Sequence, residues 1–311
     1  MGHSFGEDTT ADEVVSTLSE RVEGRTFLIT GPTSNGIGAA TAYALARAHP
    51  ATILLAGRSP EKYGPVIEKI LDIDPNVDVR VYAVDLGDVL FTREAAKKII
   101  SEVDKIDVLI NNAGVMGLPL KKTVDGIEEH FATNYVGHFL LTNILMPAIL
   151  KSDEPTIVNL TSGGHRAGTG DYSDYNFERH DYNWHLGYGQ SKLANIHFTQ
   201  YLAKRLGPRG LVSLAVHPGV IWGTSLTSPL SGQQVAELRA LTSSMKWKTV
   251  GQGAATTLVA ALDRELGVEN NGSYMADCQV AETQWDGAKL PDAPEKLWSL
   301  SETLVKERFT Y

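Results

Sequence analysis

Six short runs of strand-forming residues recur along this 311-residue chain: RTFLIT (25–30), ATILLAG (51–57), VRVYAV (79–84), DVLI (107–110), TIVNLT (156–161) and LVSLAV (211–216). Longer stretches of helical periodicity separate them, among them 36–48, 128–150 and 191–206. Runs that are apolar throughout, rather than alternating, are buried on both faces. Their alternation with helices predicts a parallel sheet covered on both sides, an α/β fold. No internal repeat, low-complexity tract or Pro/Ser/Gly linker divides the chain, which reads as one domain over 1–311. It carries an N-terminal extension (1–23), whose ADEVVSTLSERV predicts a helix outside the first strand, and a C-terminal extension (281–311).

In such sheets ligands bind beyond the carboxyl ends of the strands. Here those ends carry TGPTSNGIG (30–38), GRS, VDLGD, NNAG, LTSGGH and VHPG. The first of these, a glycine-rich turn opening a helix, would point backbone N–H groups at a pyrophosphate, with hydroxyls from Thr33 and Ser34. The alternative is an ordinary βα turn, for Gly31 and Gly36 stand five apart and fit neither common phosphate-loop pattern. Twenty residues past Gly38, where an acidic side chain would hold the ribose of NAD, stands Arg58. An arginine there suits the 2′-phosphate of NADP, unless it is simply solvated. Asp85 of VDLGD could accept from an adenine amino group.

Tyr188 and Lys192, four apart at the start of a helical stretch, share one face. A free tyrosine, with a pKa near 10, is a poor acid at neutral pH; lowering it about three units takes roughly 4 kcal/mol. An adjacent ammonium plus the positive charge of an oxidised nicotinamide could supply that. Y-x-x-x-K also occurs by chance in many helices. Its weight comes from company: Ser162 ends the fifth strand at the same sheet edge, with a hydroxyl free to hold a carbonyl. Asn134, inside a helix, is either a satisfied interior amide or a water-holding link in a proton relay.

Charge and cysteine usage exclude other classes. A net charge of −9 argues against nucleic acid and anionic membranes as partners. The single Cys278 excludes an internal disulfide or a multi-cysteine zinc site and fits a reducing, cytoplasmic setting. The N-terminus MGHSFGEDTTADE reads as neither signal peptide nor membrane anchor. His165, His180 and His185 match no metal-site spacing, so no metal is expected.

Taken in order, T-G-…-G-I-G, D-L, N-N-A-G, N, S, Y-x-x-x-K and H-P-G resemble the short-chain dehydrogenase/reductase family over about residues 24–280. IDVLINNAGVM, NYVGHFLLT, TSGGHR, YGQSKLAN and DCQVAE are similar to its retinol dehydrogenase and WW-domain oxidoreductase-like branch, fungal members included. The resemblance implies a Rossmann-type doubly wound parallel sheet with a substrate lid inserted near 223–250. It implies an NADP(H)-dependent interconversion of a carbonyl and an alcohol. Tyr188 would be the proton donor or acceptor, Lys192 the grip on the nicotinamide ribose, Ser162 the carbonyl holder and Asn134 the relay residue. The cofactor would be lined by Gly31, Thr33, Ser34, Asn35, Gly36 and Ile37, by Arg58 and Ser59, and by Asp85 and Leu86. Asn112, Ala113 and Gly114 would line it too, with Tyr188, Lys192, Gly219, Ile221 and Thr224. A homodimer through the helices at 128–150 and 187–206 is also implied. Two departures stand out: Asn35 makes the family's first turn one residue longer, and Gly223 occupies the place of an expected threonine, with Thr224 next in the chain.

The substrate edge is less explicit. Val235, Leu238, Leu241 and Met245 give the 223–251 stretch an apolar side, and Tyr172, Tyr175, Phe177, Tyr182 and Trp184 fill 168–184. These aromatics either wall a lipophilic substrate site or merely pack their own loop. A catalytically weak sensor or scaffold on the same fold is the alternative to an enzyme; the intact Asn134, Ser162, Tyr188 and Lys192 set favours the enzyme.

Overall fold

In the computed structural model, which describes residues 4–283 and 285–311, the six runs become β1 (Thr26–Thr30), β2 (Thr52–Gly57), β3 (Asp78–Ala83), β4 (Val108–Asn111), β5 (Thr156–Leu160) and β6 (Val212–His217). Two further strands, β7 (Tyr274–Ala276) and β8 (Gln279–Ala281), complete an eight-stranded sheet in the order β3-β2-β1-β4-β5-β6-β7-β8. All neighbours are parallel except β7 and β8. The order reverses between β1 and β4, and the crevice above that point is where a doubly wound sheet receives ligands.

The helices are α1 (Ala11–Thr17), α2 (Ile37–Ala46), α3 (Gly64–Ile73), α4 (Val89–Glu102), a single turn α5 (Glu129–Phe131) and α6 (Gly137–Ile149). They continue as α7 (Trp184–Leu206), α8 (Gly232–Leu241), α9 (Val250–Leu262), α10 (Arg264–Glu269) and α11 (Ala293–Val305). Side-chain alternation splits the strands between two cores. Phe27, Ile29, Ile53, Leu55, Val158 and Leu214 face α2 and α9. Leu28, Leu54, Leu109 and Ile157 face α4, α6 and α7.

Two packing details bear on the expectations from the sequence. The N-terminal helix forms, with a Thr10–Glu13 capping box, and packs mainly on α9 and α2. The chain's own C-terminal segment packs against both helices through which a homodimer was expected. Trp298 of α11 stacks on Tyr201 at 4.1 Å and meets Phe139 edge-on at 4.9 Å, while the Tyr135 and Ser301 hydroxyls lie 2.5 Å apart. Among the described residues no helix is long and apolar enough to cross a membrane.

Candidate active site

The carboxyl ends of β1, β2, β4, β5 and β6 open into one cavity of about 1090 Å³. At its floor, Thr30 closes β1 and pins the start of the loop after β4. Its Oγ1 accepts from the N–H groups of Asn112 (3.0 Å) and Ala113 (2.9 Å), and it lies 2.9 Å from His138 Nε2. His138 Nδ1 in turn lies 3.0 Å from the Asn134 carbonyl. With two donors already on Thr30, its hydroxyl hydrogen goes to Nε2, and the tautomer carrying its proton on Nδ1 satisfies the whole chain. Burial pushes His138 down to about 4, so it stays neutral. Gly31 turns the chain away at φ +68°, and a Cβ there would fall 2.8 Å from the Ala113 Cα, a position only glycine can fill.

Of the residues expected at the cofactor, Gly31, Thr33, Ser34, Gly36, Ile37, Arg58, Ser59, Leu86, Asn112, Ala113, Gly114, Tyr188, Lys192, Gly219, Ile221 and Thr224 all line this cavity. Gly36 is the N-cap of α2 and makes no side-chain cap bond, which leaves the first amides of α2 available to an anion. Two expected residues, Asp85 and Asn35, do not line it. Asp85 accepts from the Gly87 N–H at 3.0 Å, folding its carboxylate back over its own strand end. Asn35 is exposed and reaches across to the loop after β6. Beside Arg58 the cavity has a second cation, Lys62, which the sequence reading missed. It sits in a 3-10 turn after β2, and its only signal is its position four residues after Arg58. Neither side chain has a hydrogen bond or ion pair among the described residues.

At the opposite end α7 presents Tyr188 and Lys192 from one face, both buried. Lys192 Nζ donates to the Leu160 carbonyl at 3.1 Å and lies 5.7 Å from the Tyr188 ring centroid. Burial pushes Tyr188 up to about 12, opposed by its contact with the Ser162 hydroxyl, and pushes Lys192 down to about 8. The protein's own groups therefore keep the phenol protonated; the lysine alone does not depress it. Ser162 Oγ accepts from Gly164 N–H at 3.1 Å, which orients the hydroxyl at the cavity wall.

Asn134 does not line the cavity. It is wholly buried one layer behind, its Oδ1 accepting from Val115 N–H (2.7 Å) and its Nδ2 donating to Val115 O (3.0 Å) and Ser191 Oγ (2.9 Å). It lies in a π-helical stretch, Ala132–Val136, between α5 and α6; such insertions concentrate at functional sites.

The aromatic loop mostly packs itself. Of its five rings only Trp184 lines the cavity. Tyr172 meets His197 Nδ1 at 2.7 Å, Tyr175 stacks on Phe131, Phe177 meets Tyr182 edge-on, and Tyr182 donates to Leu118 O at 2.7 Å. The 223–251 stretch does cover the cavity, with Leu238, Leu241 and Met245 on its wall and Val235 off it. The three histidines go separate ways: His165 to the Ser162 carbonyl, His180 to Asp174 and His185 to Glu237.

The chain belongs to the short-chain dehydrogenases, an oxidoreductase family whose pattern matches residues 25–234. Within it, the chain is 36% identical to retinol dehydrogenase 11 of Mus musculus over 297 residues, covering 92% of this chain and 88% of that one. It is 35% identical to the short-chain dehydrogenase/reductase prx1 of Penicillium roqueforti, covering 91% and 85%. Among solved structures, an uncharacterized protein from Mycobacterium paratuberculosis superposes with a TM-score of 0.73 at 32% identity, covering 93% and 96%. The Pseudomonas aeruginosa RhlG/NADP complex shares the fold at a TM-score of 0.63 and 22% identity, covering 81% and 94%.

Proposed function

We propose that this protein is an NADP(H)-dependent oxidoreductase that interconverts a carbonyl and an alcohol on a small lipophilic substrate, working as a reductase. One observation carries the reading: a single cavity has Tyr188, Ser162 and Lys192 at one end and the cations Arg58 and Lys62, unpaired among the described residues, at the other. The cradle fits the cofactor. Free α2 amides suit a pyrophosphate, and two cations beside Ser59 suit a 2′-phosphate.

When bound, NADPH supplies the hydride that reaches the carbonyl carbon. The protein's part is the oxygen. Tyr188, held protonated by burial, donates its phenolic proton to the developing alkoxide while the Ser162 hydroxyl holds the same oxygen. The Lys192 ammonium would hold the cofactor's ribose and, together with the positive charge of the oxidised nicotinamide, would stabilise the phenolate left behind. Asn134 acts from behind, fixing the Val115 segment that lines the site. Leu238, Leu241, Met245 and Trp222 favour an apolar substrate body, which the likeness to retinol dehydrogenases also supports.

The test is a titration with NADPH and NADH, alongside a screen of ketones, aldehydes and secondary alcohols followed by NADPH absorbance. NADPH should bind more tightly by roughly 1.5–3 kcal/mol. Arg58→Ala and Lys62→Ala should each narrow that gap and leave NADH binding nearly unchanged. Equal affinity of the wild-type protein for both cofactors would sink the NADP assignment.

A further inference from the structure

Asn35 and Gly223, the two departures of this chain from its family's pattern, are exposed and do not themselves line the cavity, but their chain neighbours Ser34, Gly36, Trp222 and Thr224 do, and in space the two meet. Asn35, the extra residue of the first turn, donates from Nδ2 to the Gly223 carbonyl at 3.0 Å, across 188 residues of chain. Its Oδ1 accepts from the Ser225 hydroxyl at 2.7 Å. Thr33, Ser34 and Gly36 line the cavity on one side of this junction; Trp222, Thr224 and Ser225 line it on the other. One amide that donates and accepts at two points of the opposite loop fixes both the spacing and the tilt of the two segments, which a single hydrogen bond would not.

We infer that Asn35 is a positioning residue that clamps the glycine turn, beside the α2 amides that would hold a pyrophosphate, to the loop after β6, and so sets the rate at which a bound dinucleotide leaves. The inference rests on the dinucleotide reading given under Proposed function. The clamp also reaches the lid. Ser225 opens the 3-10 turn Ser225–Thr227 that leads into α8, and beyond it Gln234 Nε2 donates to the Gly117 carbonyl at 2.9 Å. The segment covering the substrate end is thus fastened at the cofactor turn and again at the loop after β4.

The experiment is stopped-flow release of NADPH, read by its fluorescence, from the wild-type protein, Asn35→Ala, Ser225→Ala and the double variant. Asn35→Ala, which removes both contacts, should speed release roughly three- to tenfold, and Ser225→Ala by less. The double variant should match Asn35→Ala, because the two substitutions break one junction. Affinity for 2′-AMP, which keeps adenine, ribose and the 2′-phosphate but lacks the pyrophosphate, should stay at the wild-type value in all three. Release of NADPH from Asn35→Ala at the wild-type rate would overturn the clamp. So would additive effects of the two substitutions, or a parallel loss of 2′-AMP binding, which marks general loosening of the turn. Wild-type titration with NADPH and NADH separates the two levels. If neither binds, the dinucleotide reading falls and takes the clamp with it. If one binds and Asn35→Ala releases it unchanged, only the clamp falls.

Discussion

Tyr188 and Lys192 illustrate how burial sets opposite demands on two neighbours. The phenol, pushed up to about 12, is a donor throughout the physiological range, while the ammonium, pushed down to about 8, is on the edge of losing its proton. Tyr188→Phe is expected to cut kcat by 10²-fold or more with NADPH binding nearly intact, since the hydroxyl acts as charge develops. A variant keeping more than about a tenth of wild-type kcat would remove Tyr188 from the acid role, because acid catalysis supplies far more. The pH dependence belongs to the lysine. On the proposed function Lys192 would hold the cofactor while charged, below about 8, and would lose that hold above it as it becomes neutral. For reduction, kcat/KM for NADPH should hold up to that value and then decline about tenfold per pH unit. A flat profile through it would mean that the charge on Lys192 plays no part. Such a profile could not be drawn from the sequence, where the pair reads as an ammonium depressing a phenol.

At the scale of elements, strands were the most legible part. All six strands fall within one residue of the runs; five are buried on both faces as expected, whereas β3, at the sheet edge and carrying Arg80, alternates exposed and buried side chains. β7 and β8, three residues each, are too short to carry a pattern. They form through a turn at Asp277 and Cys278, both at positive φ. Asn134 was legible as a special amide, but the π-helical stretch that holds it depends on packing against Val115 and Ser191, which are distant in sequence. The aromatic loop stayed open in the sequence because its composition suits a binding wall and a self-packed loop equally; the structure takes the second for four of its five rings. The lid invites a direct test. Gly117 holds φ +74°, and a Cβ there would lie 2.0 Å from Leu230 Cδ2 of the lid. Gly117→Ala should strain the backbone at this positive φ and displace the Leu230 side chain of the lid, raising KM for the carbonyl several-fold with NADPH affinity unchanged. An unchanged KM would mean that the lid closes without this contact.

For the whole molecule, the decisive element is α11. Trp298 is buried among Phe139, Phe198 and Tyr201, so Trp298→Ala should cost about 3–5 kcal/mol, measurable by urea unfolding. With α6 and α7 covered in this way, light scattering at micromolar concentration is expected to give the mass of one chain; a two-chain mass would mean that pairing uses another surface. The same arrangement sets a problem of timing. A ribosome makes α6 and α7 long before it makes α11, so synthesis runs against the order of burial. Every nascent chain that has passed Tyr201 but not reached Ala293 presents an aromatic face with no cover. A message cut short in that interval yields a product marked for chaperones and proteases by the surface that the finished enzyme hides.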